Sequence, residues 1–138
     1  MRTLSACSLI VFFSVATAVA INIAPGDTVT EDFTIGATAA ASLPSDWRVD
    51  KNTTVRSVGS YASAGTATEQ RAGNSMLSNA QNGIYNYGAG AADSATDRAV
   101  GGISSASASK SVNVYVKLTN NGATTITNFI ISYSVEKY

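Results

Sequence analysis

The 138-residue chain contains no histidine, one cysteine, two prolines and one tryptophan, and only 13% of its residues are charged. Each shortage removes a class of chemistry. Without histidine there is no imidazole to activate a serine or cysteine nucleophile and none to hold zinc. The single cysteine, Cys7, cannot close an intrachain disulfide. Nine basic and nine acidic residues cancel to a net charge of zero, with no basic run. The chain therefore lacks the surface that neutralises phosphates, and nucleic acid is not an expected partner.

What is present begins with Arg2, an apolar run from Leu9 to Val15 and then "ATAVA", with Ala18 and Ala20 at the small-residue positions of an A-x-A cleavage site. This is the pattern of a secretory signal peptide cut after Ala20, and the run is too short for a membrane span. The expected product is secreted or held at the cell surface and is not membrane-embedded. Removing residues 1–20 from the 138 leaves a domain of 118 residues, 21–138, from which Cys7 has gone. A domain of this size buries about two thirds of its unfolded surface. Its stability must come from packing alone.

Alternation of apolar and polar residues indicates an all-β fold. "TVTEDFTI" puts Val29, Phe33 and Ile35 on one face, and Pro44 restrains Leu43 ahead of a short strand from Trp47 to Lys51, with "TTVRSV" as its expected hairpin partner. From Gly59 to Asn82 small and polar residues dominate, which reads as a long loop, with "ATEQRA" the one place where alanine favours a helix. "GIYNYG" and "RAVGGI" read as two strands joined by "AGAADSATD". The strongest strand is "SVNVYVKL", closed by an Asn-Gly pair suited to a hairpin turn and followed by "FIISYSV". The expected inward residues are Phe33, Trp47, Val112, Val114, Val116, Leu118, Phe129, Ile131 and Tyr133.

Candidate chemistry is thin. Asp93 and Asp97 lie in a loop rich in backbone carbonyls, the hard oxygen ligands that calcium takes; the competing reading is a plain turn. Tyr85, Tyr87 and Tyr115 could stack on sugar rings, with Tyr115 facing outward between the valines. Asn52 opens the sequon "NTT", a glycosylation site in a eukaryotic source. The carboxylates Asp46, Asp50, Asp93, Asp97 and Glu136 leave a two-carboxylate glycan hydrolase formally open, but their spacing selects no pair.

Three stretches, "DFTIGATAAASLPSDWRV", "YNYGAGAADSATDRAVGGI" and "LTNNGATTITNFIISYSVEKY", together resemble an amino-terminal module of secreted and cell-surface bacterial proteins. Its loose pattern runs from "DF…LP-x-GW" through a "(D/E)RA-(L/V)-G" segment to "I-S-Y-x-x-E-x-W-R". The chain departs from it at Ser45-Asp46, before Trp47, and at Tyr138, where the pattern has Trp. The resemblance implies an antiparallel β-sandwich of the jelly-roll, carbohydrate-binding kind, attached in relatives to nucleases, lamin-tail-like modules or anchors, and it implies no defined activity. The pattern runs on through further strands, so residues 21–138 are expected to be the amino-terminal part of a larger domain, incomplete at the carboxy-terminal end. Arg98 is then expected to pair with a carboxylate at the sandwich rim, Glu136.

These readings converge on a secreted, non-catalytic binding or adhesion module with a glycan or cell-surface component as its ligand, and with self-association through an open sheet edge. A structural spacer or anchor of a larger secreted enzyme is the alternative, and a glycan-cleaving enzyme the weaker one. No cofactor beyond calcium is implied. The leader assignment predicts that amino-terminal sequencing of the exported protein begins at Ile21; an exported product that retains Met1 would contradict it.

Overall fold

The computed structural model describes residues 21–74, 83–105 and 109–136. The expected leader, residues 1–20, the stretch 75–82 of the expected loop and Tyr138 lie outside the described residues. The described chain is all-β. Its strands are β1 (Ile21–Ile23), β2 (Trp47–Asn52), β3 (Gln70–Ala72), β4 (Gly83–Gly88), β5 (Arg98–Ile103), β6 (Ser111–Val116) and β7 (Leu118–Asn120), with one turn of 3-10 helix at Tyr61–Ser63. They form three sheets, β1-β7, β2-β6 and β3-β4-β5. The β2–β6 and β4–β5 pairs are antiparallel, whereas β1–β7 and β3–β4 are parallel.

The alternation in β6 decides how it meets β2. Trp47, Val49 and Lys51 stand opposite Val116, Val114 and Val112, while Arg48 and Asp50 stand opposite Tyr115 and Asn113. One face of the pair is mostly apolar and the other polar, as a period of two requires. Val49 is 1% exposed and packs with Leu43 and Ile84, against which Ile35, Trp47, Val100 and Val112 lie. Because these residues come from β2, β4, β5 and β6, the cluster binds the β2–β6 sheet to the three-stranded one. Gly102 makes the approach possible: a Cβ there would sit 2.5 Å from the Cγ atoms of Val112.

Polar stitching completes what this small core leaves open. Asn86, wholly buried in β4, donates through Nδ2 to the carbonyls of Gly36 (2.7 Å) and Thr38 (3.0 Å). The buried Thr68 hydroxyl donates to the Ala39 carbonyl and accepts from the Ala41 amide at 3.1 Å. Together they hold residues 36–41 over the three-stranded sheet.

Several sequence-based expectations need correction. Residues 31–40 do alternate between half-buried and exposed, and Phe33 packs edge-on against Trp47 at 4.8 Å. The segment nevertheless forms no strand, because Phe33 sits at φ 53° and the Glu31 and Asp32 carboxylates take the amides of Phe33 and Thr34. "TTVRSV" is not the hairpin partner of β2. Asn52 Oδ1 accepts the Thr54 amide and Arg56 adopts φ 55°, which turns the chain away and leaves that edge to β6. In place of a helix, Gln70–Ala72 forms β3 beside β4.

The largest departure is at the end of the chain. Val114, Leu118, Phe129, Ile131 and Tyr133, all expected inside, are exposed. The expectation relied on a hairpin turn at Asn121-Gly122 that would fold the last strand back. Neither residue takes a positive φ; the Asn121 amide instead bonds the Ile23 carbonyl at 3.1 Å, and residues 125–136 form no strand. Val114 is left 41% exposed because nothing returns to cover it. Ile84→Ala should therefore cost about 2–5 kcal/mol in a denaturant titration, as cavity formation in a close-packed core does, and Val114→Ala below about 1 kcal/mol. Equal costs at the two positions would show that the buried face has been misassigned.

Candidate functional site

Four places gather functional groups: the loop before β5, the tyrosine pair on β4, the polar face of β2–β6 and the carboxy-terminal segment. In the first, Arg98 is 4% exposed, and its guanidinium points back into its own loop. Nε donates to the Ala95 carbonyl at 2.8 Å and Nη2 to the Ala92 carbonyl at 3.1 Å. Nη1 is buried without a hydrogen-bond partner among the described residues. The group lies against Gly88, where a Cβ would come within 2.8 Å of Nη1. Two of the three guanidinium nitrogens thus donate to backbone carbonyls of the loop that precedes β5. Glu136 itself lies in the exposed carboxy-terminal segment.

The same geometry bears on calcium. Asp93 and Asp97 are exposed, and the neighbouring Ala92 and Ala95 carbonyls are already taken by a cation, the guanidinium. The Asp97 carbonyl accepts from the Ala89 amide at 3.1 Å, which closes the loop as a turn. Among the described residues no three Asp or Glu side chains come together to hold a metal ion.

Tyr85 is buried and Tyr87 half-buried, and their rings stack on each other at 5.3 Å. Desolvation, and then the neighbouring Tyr85, push the Tyr87 hydroxyl above its ordinary pKa. Tyr115 does stand on the polar face, as the alternation requires, yet its hydroxyl is engaged. It donates to Asp50 Oδ2 at 2.7 Å and accepts from the Gly59 amide at 2.8 Å. Desolvation and the bond to Asp50 raise its pKa. Asn113 Nδ2 bridges Asp50 Oδ1 (2.6 Å) and the Ser57 carbonyl (3.0 Å). The three tyrosines therefore make no common platform: two belong to β4, and the third ties residues 57–59 to the β2–β6 sheet.

Asn52 ends β2 half-buried, its carbonyl accepting from Lys110 at 2.7 Å and its side chain from Thr54 at 2.8 Å. Asp50 has both carboxylate oxygens bonded within the sheet, and Asp46 turns toward the start of the chain. The Asp46 and Asp50 carboxylates are thus engaged in structural bonds. Sequence reasoning missed the roles of Asn86, Asp50 and Asp46, since a polar residue inside an apolar pattern shows its purpose only when its partner comes from a distant segment.

The carboxy-terminal segment carries the most unusual surface. Phe129, Ile130, Ile131, Tyr133 and Val135 are between 63% and 93% exposed and fall within residues 129–135, interrupted only by Ser132 and Ser134 and without a charge among them. Single exposed apolar residues are ordinary; a group this dense is not. From Asn121 to Val135 there is no Lys, Arg, Asp, Glu or Pro, the residues that guard free β edges.

Comparison with protein families, with curated proteins and with solved structures returns no match. Among the described residues no helix is long and apolar enough to cross a membrane.

The Arg98 geometry predicts a cost of about 1–3 kcal/mol for Arg98→Ala, because buried carbonyls lose their donors. A double-mutant cycle with Glu136→Ala should give additive effects within about 0.5 kcal/mol. Coupling well above that would restore the ion pair across the rim.

Proposed function

We propose that the chain is a secreted, non-catalytic interaction module that associates with a second copy of itself through residues 127–135. The observation that carries this is the exposed row Phe129, Ile130, Ile131, Tyr133 and Val135. Side chains of this size and exposure present roughly 700 Å² of apolar surface, close to the about 800 Å² that each partner contributes to a standard interface.

The sequence is self-complementary about Ser132. Antiparallel pairing of two copies around that residue sets Phe129 opposite Val135 and Ile131 opposite Tyr133 on one face. The other face then pairs Ile130 with Ser134 and Asn128 with Glu136. Such an interface is isologous and closes as a dimer. It also supplies the backbone partners that the Asn121-Gly122 bend denies the segment within one chain. In this reading the two larger sheets, joined through Val49 and Ile84, are parts of a jelly-roll-like sandwich, and the paired segments extend it across the dimer.

A glycan ligand draws less support, because the tyrosines that would stack on sugar are engaged with each other and with Asp50. Sedimentation of the chain beginning at Ile21 should give a dimer at micromolar concentration. Ile131→Lys should yield a folded monomer whose melting no longer depends on concentration, since residue 131 is exposed in the isolated chain. A wild-type monomer at 100-fold higher concentration, or a dimer indifferent to Ile131→Lys, would contradict the proposal.

A further inference from the structure

We infer that Asp46 is the receptor for the amino group created when the leader is removed, so that proteolytic maturation locks β1 into the fold. The inference goes beyond the dimer reading and rests on the secretory one. In the structure the Ile21 nitrogen donates to Asp46 Oδ2 at 2.8 Å in a half-buried setting. Ile21 is the residue that "ATAVA" places immediately after the cleavage site. Two independent observations, a sequence motif and a tertiary contact spanning 25 residues, therefore meet at one atom.

Hydrolysis of the Ala20–Ile21 peptide bond by a leader-cleaving peptidase consumes one water. The acyl carbon of Ala20 leaves as a carboxylate, and the Ile21 nitrogen becomes an amine that is protonated at neutral pH. A neutral N–H donor facing a carboxylate thus becomes an ammonium facing the same carboxylate. Charge-assisted bonds of this kind are shorter and about twice as strong as neutral ones.

The backbone around Asp46 is built to present that carboxylate. Pro44 to Trp47 form a turn closed by the Trp47 amide on the Pro44 carbonyl at 3.1 Å, and its third residue, Asp46, adopts φ 65°. Glycine is the default at such a position, and aspartate is among the few other residues that tolerate it. Glycine would satisfy the turn but bring no carboxylate. The Asp46 carbonyl accepts the Lys117 amide at 3.0 Å, next to β7, on which β1 pairs from Ile21 to Ile23. The Tyr61 hydroxyl donates to Asp46 Oδ1 at 3.4 Å. One aspartate thus touches the first strand, the residue that leads into the last strand and the 3-10 turn.

The ionisable groups around the new amine are Asp46 and Tyr61 themselves, Asp27 in the turn after β1, Arg48, whose guanidinium lies 5.3 Å from the Tyr61 ring centre, and Lys117 beside β7. Asp46 alone touches the nitrogen among the contacts described. A carboxylate partner raises the folded-state pKa of an amine above its free value of about 8. The lock is therefore fully present below about pH 8 and is lost as pH rises through the raised folded value.

The test compares three preparations of the chain: one released to begin at a free Ile21, one with Ile21 acetylated, and one retaining Ala20. Melting is followed from pH 6 to pH 10, each with and without Asp46→Asn, a substitution that keeps both size and tolerance of positive φ. The free-amine form should melt about 5 °C above the other two at pH 6–7, lose that margin toward pH 10, and lose it entirely in Asp46→Asn. Should Asp46→Asn not fold, the free and acetylated forms decide the matter alone. Equal melting of those two forms at pH 6–7, or an equal loss in all three on Asp46→Asn, overturns the lock. Sequencing the exported protein separates the two ideas: a start other than Ile21 overturns the leader assignment, whereas a start at Ile21 with no melting advantage overturns the lock alone.

Discussion

Burial of Val49 is the constraint on which the rest of the structure depends. Its side chain meets Leu43 and Ile84, and its backbone exchanges bonds with Gly65 at 3.0 and 2.8 Å on one edge of β2 while β6 occupies the other. A chain with a single cysteine closes no intrachain disulfide and has only such places to stand on. Around this one the two larger sheets meet. Farther out, stability passes to buried and half-buried polar groups: Asn86 reaches residues 36–38, Asp50 reaches Tyr115 and Asp46 reaches Ile21 across long stretches of sequence, while Arg98 ties down its own loop.

These polar groups share one physical logic. A buried donor or acceptor is costly if left unmatched, so each fixes a segment that has too few apolar residues to hold itself in place. Residues 36–41 and 57–59, poor in large side chains, are held this way. The carboxy-terminal segment is the opposite case: it is rich in apolar side chains and has few polar ties.

Much of the fold was legible in the sequence where a strand's pattern is local. The alternation of Val112, Val114 and Val116 located β6, and the pairing of "GIYNYG" with "RAVGGI" appears as β4 and β5. Tyr115 also faces the polar side, as alternation required. What could not be read were choices set by backbone conformation and distant partners. Phe33 has strand-like neighbours but a left-handed backbone, and the Asn-Gly pair at 121 and 122 makes no hairpin. Arg98 was expected to pair across the rim with Glu136; the bonds seen at its guanidinium run to carbonyls three and six residues away, which no sequence pattern announces. For the candidate surface, the apolar row at 129–135 was visible in sequence, and its exposure was not.

The central claim is that two copies pair antiparallel about Ser132. The chain from Ile21 onward has no cysteine, so Ser132→Cys introduces a single thiol at the one position that would face itself across the two-fold axis. Mild oxidation should convert this variant to a covalent dimer, because directly opposed strand residues lie within disulfide reach. Asn128→Cys, which the same register sets opposite residue 136, should remain largely uncrosslinked. Failure of Ser132→Cys to crosslink, or equal crosslinking at both positions, would contradict the account.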